Sequence, residues 1–382
     1  MSRSDIPLSA YVHLPWCVQK CPYCDFNSHG LRGALPEAAY LEALKRDIDA
    51  EATRHDGRRI ETVFFGGGTP SLFSADGIGR ILSWLDAAFG FVGSPEITLE
   101  ANPGTAEAAR FAGFRAAGVN RLSIGVQSFD DHRLAALGRI HSAEDAENAF
   151  ALARRAGFDN INLDLMFALP GQSVAAALEE LQRATALGAE HLSWYQLTLE
   201  PNTRFAETPP ANLPEADVQA TMQFEGAAVL GELGYARYEV SAYARAGRAC
   251  AHNLNYWRFG DYLGIGAGAH GKRTRSAGVV ERRWKHRHPK RYLAAEVQSA
   301  EVSEVAADQV PFEFMLNALR LVDGVDVTCF EVETGRRFTA IEDTWSGLVA
   351  RGLVEPADSG RLRCTELGYR WLNEVVLGFL PG

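Results

Sequence analysis

Short apolar runs alternate with stretches of helical periodicity along the first 200 residues, the pattern of strands joined by helices. Candidate strands are Tyr11–Leu14, Thr62–Gly66, Glu96–Glu100, Arg121–Gln127, Asn160–Met166 and His191–Thr198. Between them Ile78, Ile81, Leu82, Leu85 and Phe89 recur at helical spacing, as do Val174, Leu178 and Leu181, so each set falls on one face of a helix. The punctuation agrees. Ser142 followed by Asp145 reads as a capping box, and Gly118, Gly157 and Gly188 stand where a helix ends in a left-handed residue.

This repetition predicts an α/β fold with a parallel sheet covered by helices. Six units fit a partial (β/α)6 barrel of the TIM type better than a Rossmann sheet, because no G-x-G-x-x-G opens the first helix. An N-terminal cysteine run, Gly66-Gly67-Gly68-Thr69-Pro70, Glu100, Gln127 and Arg139 fall at or just past strand C-termini, the face on which such barrels carry active sites. Asp164 lies inside its strand and shares a face with Asn162 and Met166.

Past residue 200 the pattern changes. Pro201, Pro209, Pro210 and Pro214 mark a connection, followed by a helix over Ala216–Leu233, a short strand near Tyr238 and the glycine-rich GIGAGAHG at Gly264–Gly271. From Asp308 onward a small helical, winged-helix-like module is expected, with a hairpin around Gly352–Thr365 and a local core of Leu316, Leu319 and Leu321. The expected division is a barrel over 1–200, a connecting region over 201–307 and a C-terminal module over 308–382.

At 382 residues and 47% apolar the chain can bury a large core. Its net charge of −10 offers no global basic field for nucleic acid, and the local run Arg282-Arg283-Trp284-Lys285-His286-Arg287 reads as a solvated loop face. No run of about 18 apolar residues occurs, and no apolar leader precedes the first cysteine, so the expectation is a cytoplasmic protein with no integral membrane segment. In that reducing compartment thiols stay free for metal binding. Cys329 and Cys364 read as packing residues, and so, less firmly, does Cys250 two positions before His252.

Cys17, Cys21 and Cys24 carry the most specific signal, C-x3-C-x2-C within CVQKCPYC. Three thiolates can hold an iron–sulfur cube by three irons and leave the fourth open to a ligand. Structural zinc is the competing reading, with His13 or His29 completing the set, but such sites usually gather two separated ligand pairs and no second C-x2-C follows. Pro22 argues for a loop rather than a continuous helix through the cysteines.

GGGTP follows a strand directly, so its backbone can approach a small ligand closely; no Lys-Ser/Thr follows, which excludes the P-loop pattern. Glu100 and Asp164 suit hydroxyl or ammonium recognition, and Arg139 suits a carboxylate. His252 opens HNLNYW with Tyr256 and Trp257. A histidine beside large aromatics is more often a bonded core residue, yet the same set could bind a flat macrocycle with imidazole on its iron. His270, flanked by glycines, stays ambiguous in the same way.

Together YVHLPWCVQKCPYCDF, FFGGGTPS, EANPG, SIGVQSF, LGRIHS and LDLMFALPGQ resemble the radical-SAM family of oxygen-independent coproporphyrinogen dehydrogenases and the related haem chaperones of the HemW type, over essentially the whole chain. The resemblance implies a radical-SAM barrel and a 4Fe-4S cluster on Cys17, Cys21 and Cys24, whose open iron is chelated by S-adenosylmethionine (SAM) and whose electron can cleave SAM to a 5′-deoxyadenosyl radical. It further implies that Tyr11 and Tyr23 flank the cluster, and that Gly67, Gly68, Thr69, Glu100, Gln127, Arg139 and Asp164 line SAM, in one site or two. Two departures separate the chain from the dehydrogenases: Phe26 replaces a fourth cysteine, and only 16 residues precede Cys17. HNLNYW and CDFNSH resemble the chaperone branch, which makes His252, Tyr256 and Trp257 expected haem contacts.

The expected function is therefore a haem chaperone passing haem to an acceptor protein, with SAM and cluster retained, an electron donor as partner, and a haem-bridged dimer compatible with the sequence. The alternatives are radical decarboxylation of coproporphyrinogen III and, least favoured, a structural cluster protein.

Overall fold

The computed structural model describes residues 6–54, 56–104, 109–275, 278–296 and 299–381. All six predicted strands form: β1 (Leu8–Leu14), β2 (Ile60–Gly67), β3 (Phe91–Ala101), β4 (Arg121–Gln127), β5 (Ile161–Phe167) and β6 (His191–Gln196). They lie side by side in chain order, all parallel.

Residues beyond 200 extend the same sheet. They supply β7 (Ala236–Glu239), β8 (Ala242–Ala244), β9 (Asp261–Ile265), β10 (His270–Arg275), β11 (Val279–Lys285) and β12 (Ser299–Glu304). The order is β12-β11-β10-β9-β1-β2-β3-β4-β5-β6-β8-β7. β9 pairs parallel with β1, adding a seventh parallel strand, and antiparallel strands flank both sides.

The period-two pattern has a consequence for the barrel. On the outer face Ala10, Val12, Val63, Phe65, Leu99, Ile124 and Leu163 pack with Leu41, Leu44 and Ile48 of helix α1 (Glu37–Ala52) and Ile78, Ile81 and Leu85 of α2 (Ala75–Phe89) in one apolar core. The opposite face is polar: Ser9, Thr62, Thr98, Arg121, Ser123, Asn162, Asp164 and His191 meet one another through hydrogen bonds across the strands. A polar lining of this kind leaves room for a ligand at one end and needs internal partners at the other.

The caps form as the sequence predicts. Ser142 and Asp145 make a reciprocal capping box at the helix Ala143–Arg155, and Gly118, Gly157 and Gly188 have φ of 113°, 88° and 83°. A second core, with Phe259, Phe314, Leu319, Trp345 and Phe379, organises the C-terminal helical module. Its sheet is small, Val325–Asp326 against Arg361–Leu362 with a bridge from Val354 to Cys364. Leu319 and Leu321 are buried there, but Leu316 is 48% exposed and belongs to the surface.

The basic run is also corrected. Its first four residues lie on strand β11, where Arg282 donates to Glu313 and Tyr262, Arg283 to Glu51 and Glu281, and buried Lys285 to Asp47 and Glu51 at 2.5 Å each. Only Arg287 projects as an exposed cation from that run. Among the described residues no helix is long and apolar enough to cross a membrane.

Candidate functional site

The cysteine loop leaves the C-terminal end of β1 and returns beside it. Trp16–Cys17 pairs with His29–Gly30, and the turn between them is closed by Cys24 N–H donating to Cys21 O at 3.2 Å. Asn27 ties the loop down: its Nδ2 donates to Ala267 O and Arg287 O, both at 2.9 Å. The glycines of GIGAGAHG make this seat, since a Cβ on Gly268 would come 2.2 Å from Asn27 Nδ2 and one on Gly266, at φ 105°, 2.3 Å from His13 O.

The glycine triplet serves the same loop. A Cβ on Gly67 would lie 2.4 Å from His13, and one on Gly68 2.6 Å from Trp16 O. Gly68 N–H and Thr69 N–H instead donate to Leu14 O and Trp16 O at 2.9 and 2.8 Å. His13 uses both ring nitrogens: Nε2 donates to Asn27 O at 3.0 Å, which leaves Nδ1 to accept from Tyr11 at 3.0 Å. His29 contacts Asn27 Oδ1 at 3.3 Å. Both histidines that a zinc site would need are thus engaged in positioning the loop.

Cys17, Cys21 and Cys24 are free thiols on the wall of a cavity of ≈ 390 Å³. Gly67, Gly68, Thr69, Glu100, Gln127, Arg139 and Asp164 line the same cavity, as does Tyr23, while Tyr11 does not. Arg139 lies with Nη1 3.5 Å from Cys21 Sγ and Nη2 donating to Asn102 Oδ1 and Gly125 O at 2.7 and 2.8 Å. Gln127 holds a left-handed backbone at φ 68° where the β4–β5 register slips, and Tyr195 donates to its Oε1 at 2.6 Å.

Two carboxyl groups set the electrostatics. Burial, reinforced by the Asp164 charge, pushes Glu100 up to about 8 although Gly67 N–H donates to it at 3.1 Å. Burial also raises Asp164, opposed by bonds from Ser123 and Asn162 at 2.9 and 2.8 Å. Burial pushes the Cys17 thiol up to about 11 and raises Cys24. All four groups would ionise more readily beside a bound cation, so the cavity suits a positively charged ligand and metal-held thiolates.

The radical SAM superfamily pattern matches residues 11–184, and the HemN C-terminal domain pattern matches 305–371. Proteins named heme chaperone HemW from Haemophilus influenzae and Escherichia coli are 47% and 46% identical, each over 98% of both chains. The chain belongs to the HemW family of radical SAM proteins. Its fold is that of the solved coproporphyrinogen III oxidase (HemN) from Escherichia coli, with a TM-score of 0.83 at 24% identity over 98% of this chain and 90% of that one.

Radical SAM membership implies a 4Fe-4S cluster and SAM, and the residues fit both. The three sulfurs face one cavity, Arg139 offers positive charge beside Cys21, and among the described residues no group of three or more His, Cys, Asp and Glu side chains is arranged to hold a single metal ion. Asn102, Ser123, Ser193 and Tyr195 also line the cavity, and Arg320 reaches it from the C-terminal module, bonded to Glu239 at 3.0 Å. Sequence reasoning missed these five. Asn102 and Ser123 had a signal, as the third letter of EANPG and the first of SIGVQSF.

His252 stands elsewhere. It lies on helix α3 (Ala251–Trp257), which closes the opposite end of the barrel, and is 1% exposed with Nδ1 2.8 Å from Thr62 Oγ1. Phe64 and Tyr256 cover its ring at 5.2 and 4.9 Å, and the Arg320 guanidinium covers Trp257 at 4.3 Å. The His252 Nε2 is buried without a hydrogen-bond partner among the described residues. Tyr256 alone of the three lines a second cavity.

Proposed function

We propose that this chain is a haem chaperone that binds haem and hands it to an acceptor protein while carrying a SAM-ligated 4Fe-4S cluster. The observation that carries this reading is the end-to-end likeness, at 47% identity, to proteins named heme chaperones. The cavity supports the cluster and SAM assignments: Cys17, Cys21 and Cys24 would hold the cluster, and Gly67, Gly68, Thr69, Glu100, Gln127, Arg139 and Asp164 would surround SAM. When bound, such a cluster offers an open iron to the amino and carboxylate groups of SAM and can pass it an electron. Glu100 and Asp164 supply negative charge for the ligand's cationic groups, and Arg139 offsets the charge of the Cys21 thiolate. Tyr11 acts at one remove, by fixing His13 beneath Gly67. A cytoplasmic location, and an electron donor as a further partner, accompany this reading.

Retention of Glu100, Gln127, Arg139 and Asp164 around one cavity favours a second reading, radical oxidation of a porphyrinogen, since a passive carrier has no need of SAM. Anaerobic reconstitution separates the two. The expected result is stoichiometric haem uptake, transfer to an apo-globin, and no porphyrin product. Protoporphyrinogen formed from coproporphyrinogen III over many turnovers per chain would overturn the chaperone assignment.

A further inference from the structure

The cysteine cavity runs further round the barrel than the residues that would hold the cluster and SAM. Asp164 on β5 pairs with Ser193 on β6, Ser193 with Ala242 on β8, and Ala242 with Glu239 on β7. Of this row Asp164, Ser193 and Glu239 line the cavity, together with Ser241. The last wall is Arg320, two residues past helix α4 (Val310–Ala318) of the C-terminal module. Every other lining residue lies at or before Ser241, so this arginine is the module's contribution to a cavity otherwise built by the barrel.

Three consecutive residues of β7 grip the module. The Arg237 guanidinium lies over Tyr369 at 4.8 Å, Tyr238 O accepts from Val322 N–H at 3.0 Å, and Glu239 accepts from Arg320 at 3.0 Å. Tyr369 in turn donates to Arg320 O at 2.6 Å, and Trp257 packs against the guanidinium at 4.3 Å. The side chain is held, yet its bonding capacity is not used up. A guanidinium carries five N–H groups, and among the described residues Arg320 spends only its bond to Glu239, with Nε buried and unpartnered. A buried donor without a partner costs free energy, which a ligand at this wall would recover.

The charge at this end narrows what it takes. Glu239 is buried and paired with Arg320, so the two present no net charge, only donors on one side and carboxylate lone pairs on the other. Such a pair suits a neutral group that both accepts and donates, as a nucleobase does, better than a free carboxylate or ammonium. The amine and carboxylate of SAM belong at the opposite, cysteine end, where they chelate the open iron, and this sends the nucleoside half along Asp164 and Ser193. We propose that Arg320 is a SAM-binding residue supplied by the C-terminal module, its fork and Glu239 together holding the adenine. The inference rests on the SAM assignment above and deepens it. Because the same arginine is clasped to the module through Tyr369, SAM binding and module docking are linked, and each tightens the other.

The test measures SAM binding to full-length reconstituted protein by equilibrium dialysis, and hydrogen exchange of the C-terminal module with and without SAM. Arg320→Ala should raise the Kd for SAM and for 5′-deoxyadenosine alike by about tenfold, the equivalent of about 1.4 kcal/mol, and free guanidinium should restore much of the affinity. Arg320→Lys keeps the charge without the fork and should stay weakened by about threefold or more. Methionine binding, read from the electron paramagnetic resonance spectrum of the reduced cluster, should be unchanged in both variants, because the iron end is untouched. SAM should slow exchange in α4 and around Tyr369 in wild type but not in Arg320→Ala. Equal SAM affinity in wild type and Arg320→Ala would overturn the assignment while leaving the SAM cavity intact. Faster exchange of the module in ligand-free Arg320→Ala, with no rescue by guanidinium, would overturn it equally by reducing Arg320 to a structural clasp. Wild type that binds no SAM would overturn this inference and the SAM reading together.

Discussion

The two ends of the barrel both bury charged groups and do opposite things. At the C-terminal end Glu100, Asp164, Arg139 and three thiols face a cavity, and burial shifts the titration of both carboxyl groups upward. At the N-terminal end Asp261 accepts from Arg58 and Lys272 at 2.9 Å each and from Thr274 at 2.8 Å, and helix α3 is seated by Thr62 and Glu96. Both ends bury charge. One leaves it for a ligand to neutralise, the other neutralises it within the chain. Polar density alone therefore does not mark a site; unspent bonding capacity facing open space does.

The largest effects should fall on opposite properties. Replacing Cys17, Cys21 and Cys24 together by alanine should reduce iron and acid-labile sulfide to background after reconstitution, while the apoprotein's unfolding free energy changes by no more than about 1 kcal/mol, as is usual for partly exposed positions. Asp261→Ala should do the reverse. It strands the buried Lys272 ammonium and leaves Arg58 with Asp56 alone, and should cost about 3–5 kcal/mol in denaturant unfolding, with iron content per folded chain unchanged. A cysteine variant that unfolds, or an Asp261 variant that folds normally but loses its cluster, would erase the distinction between the two ends.

How much of this was readable follows from which interactions are local. The six strands, the Ser142 capping box and the cysteine spacing are written within a few residues of one another and were legible. Strand β9 was not, because its place is set by pairing Asp261–Ile265 with Leu8–Val12 at the far end of the chain. The basic run was misread for the same reason: Lys285 finds Asp47 across 238 residues of sequence. In the site, Glu100, Gln127 and Arg139 were legible at strand ends and Asp164 within its strand, and family resemblance gave them a role, whereas Ser193, Tyr195 and Arg320 carry no pattern and become visible only where strands and the C-terminal module converge. The glycine triplet had a signal with an additional cause, since its missing Cβ atoms make room for His13 and Trp16 of the protein itself.

Acid–base behaviour sharpens the comparison further. Glu100 stands near 8 in the fold against an ordinary 4.5, so between those values the unfolded chain has released a proton that the folded chain keeps. Stability from this group is full below about pH 4.5 and is lost as pH rises to about 8, by at most about 5 kcal/mol. Glu100→Gln should flatten that stretch of the stability–pH curve, and so should saturating SAM, whose positive charge stabilises the carboxylate. A wild-type curve as flat as the variant's would mean that Glu100 is already neutralised by the chain, as Asp261 is.

The smallest effect belongs to the seat of helix α3. Glu96 on β3 accepts from Ala251 N–H at 3.2 Å and His252 N–H at 3.1 Å, acting as an N-cap supplied from another strand, and its charge opposes the positive end of that short helix. Glu96→Gln keeps one acceptor and removes the charge, so about 0.5–1 kcal/mol of stability should be lost, readable as a lowered denaturant midpoint at unchanged slope. Because the cap acts at the closed end, SAM affinity should not move. If it did, α3 would be coupled to the open end through the hydrogen-bonded series Asp164, Asn162, His191 and Tyr238, whose successive contacts are 2.8, 2.6 and 2.8 Å and whose last member lies 3.4 Å from Cys250 N. The two ends would then be one system, with the helix reporting on the occupancy of the cavity.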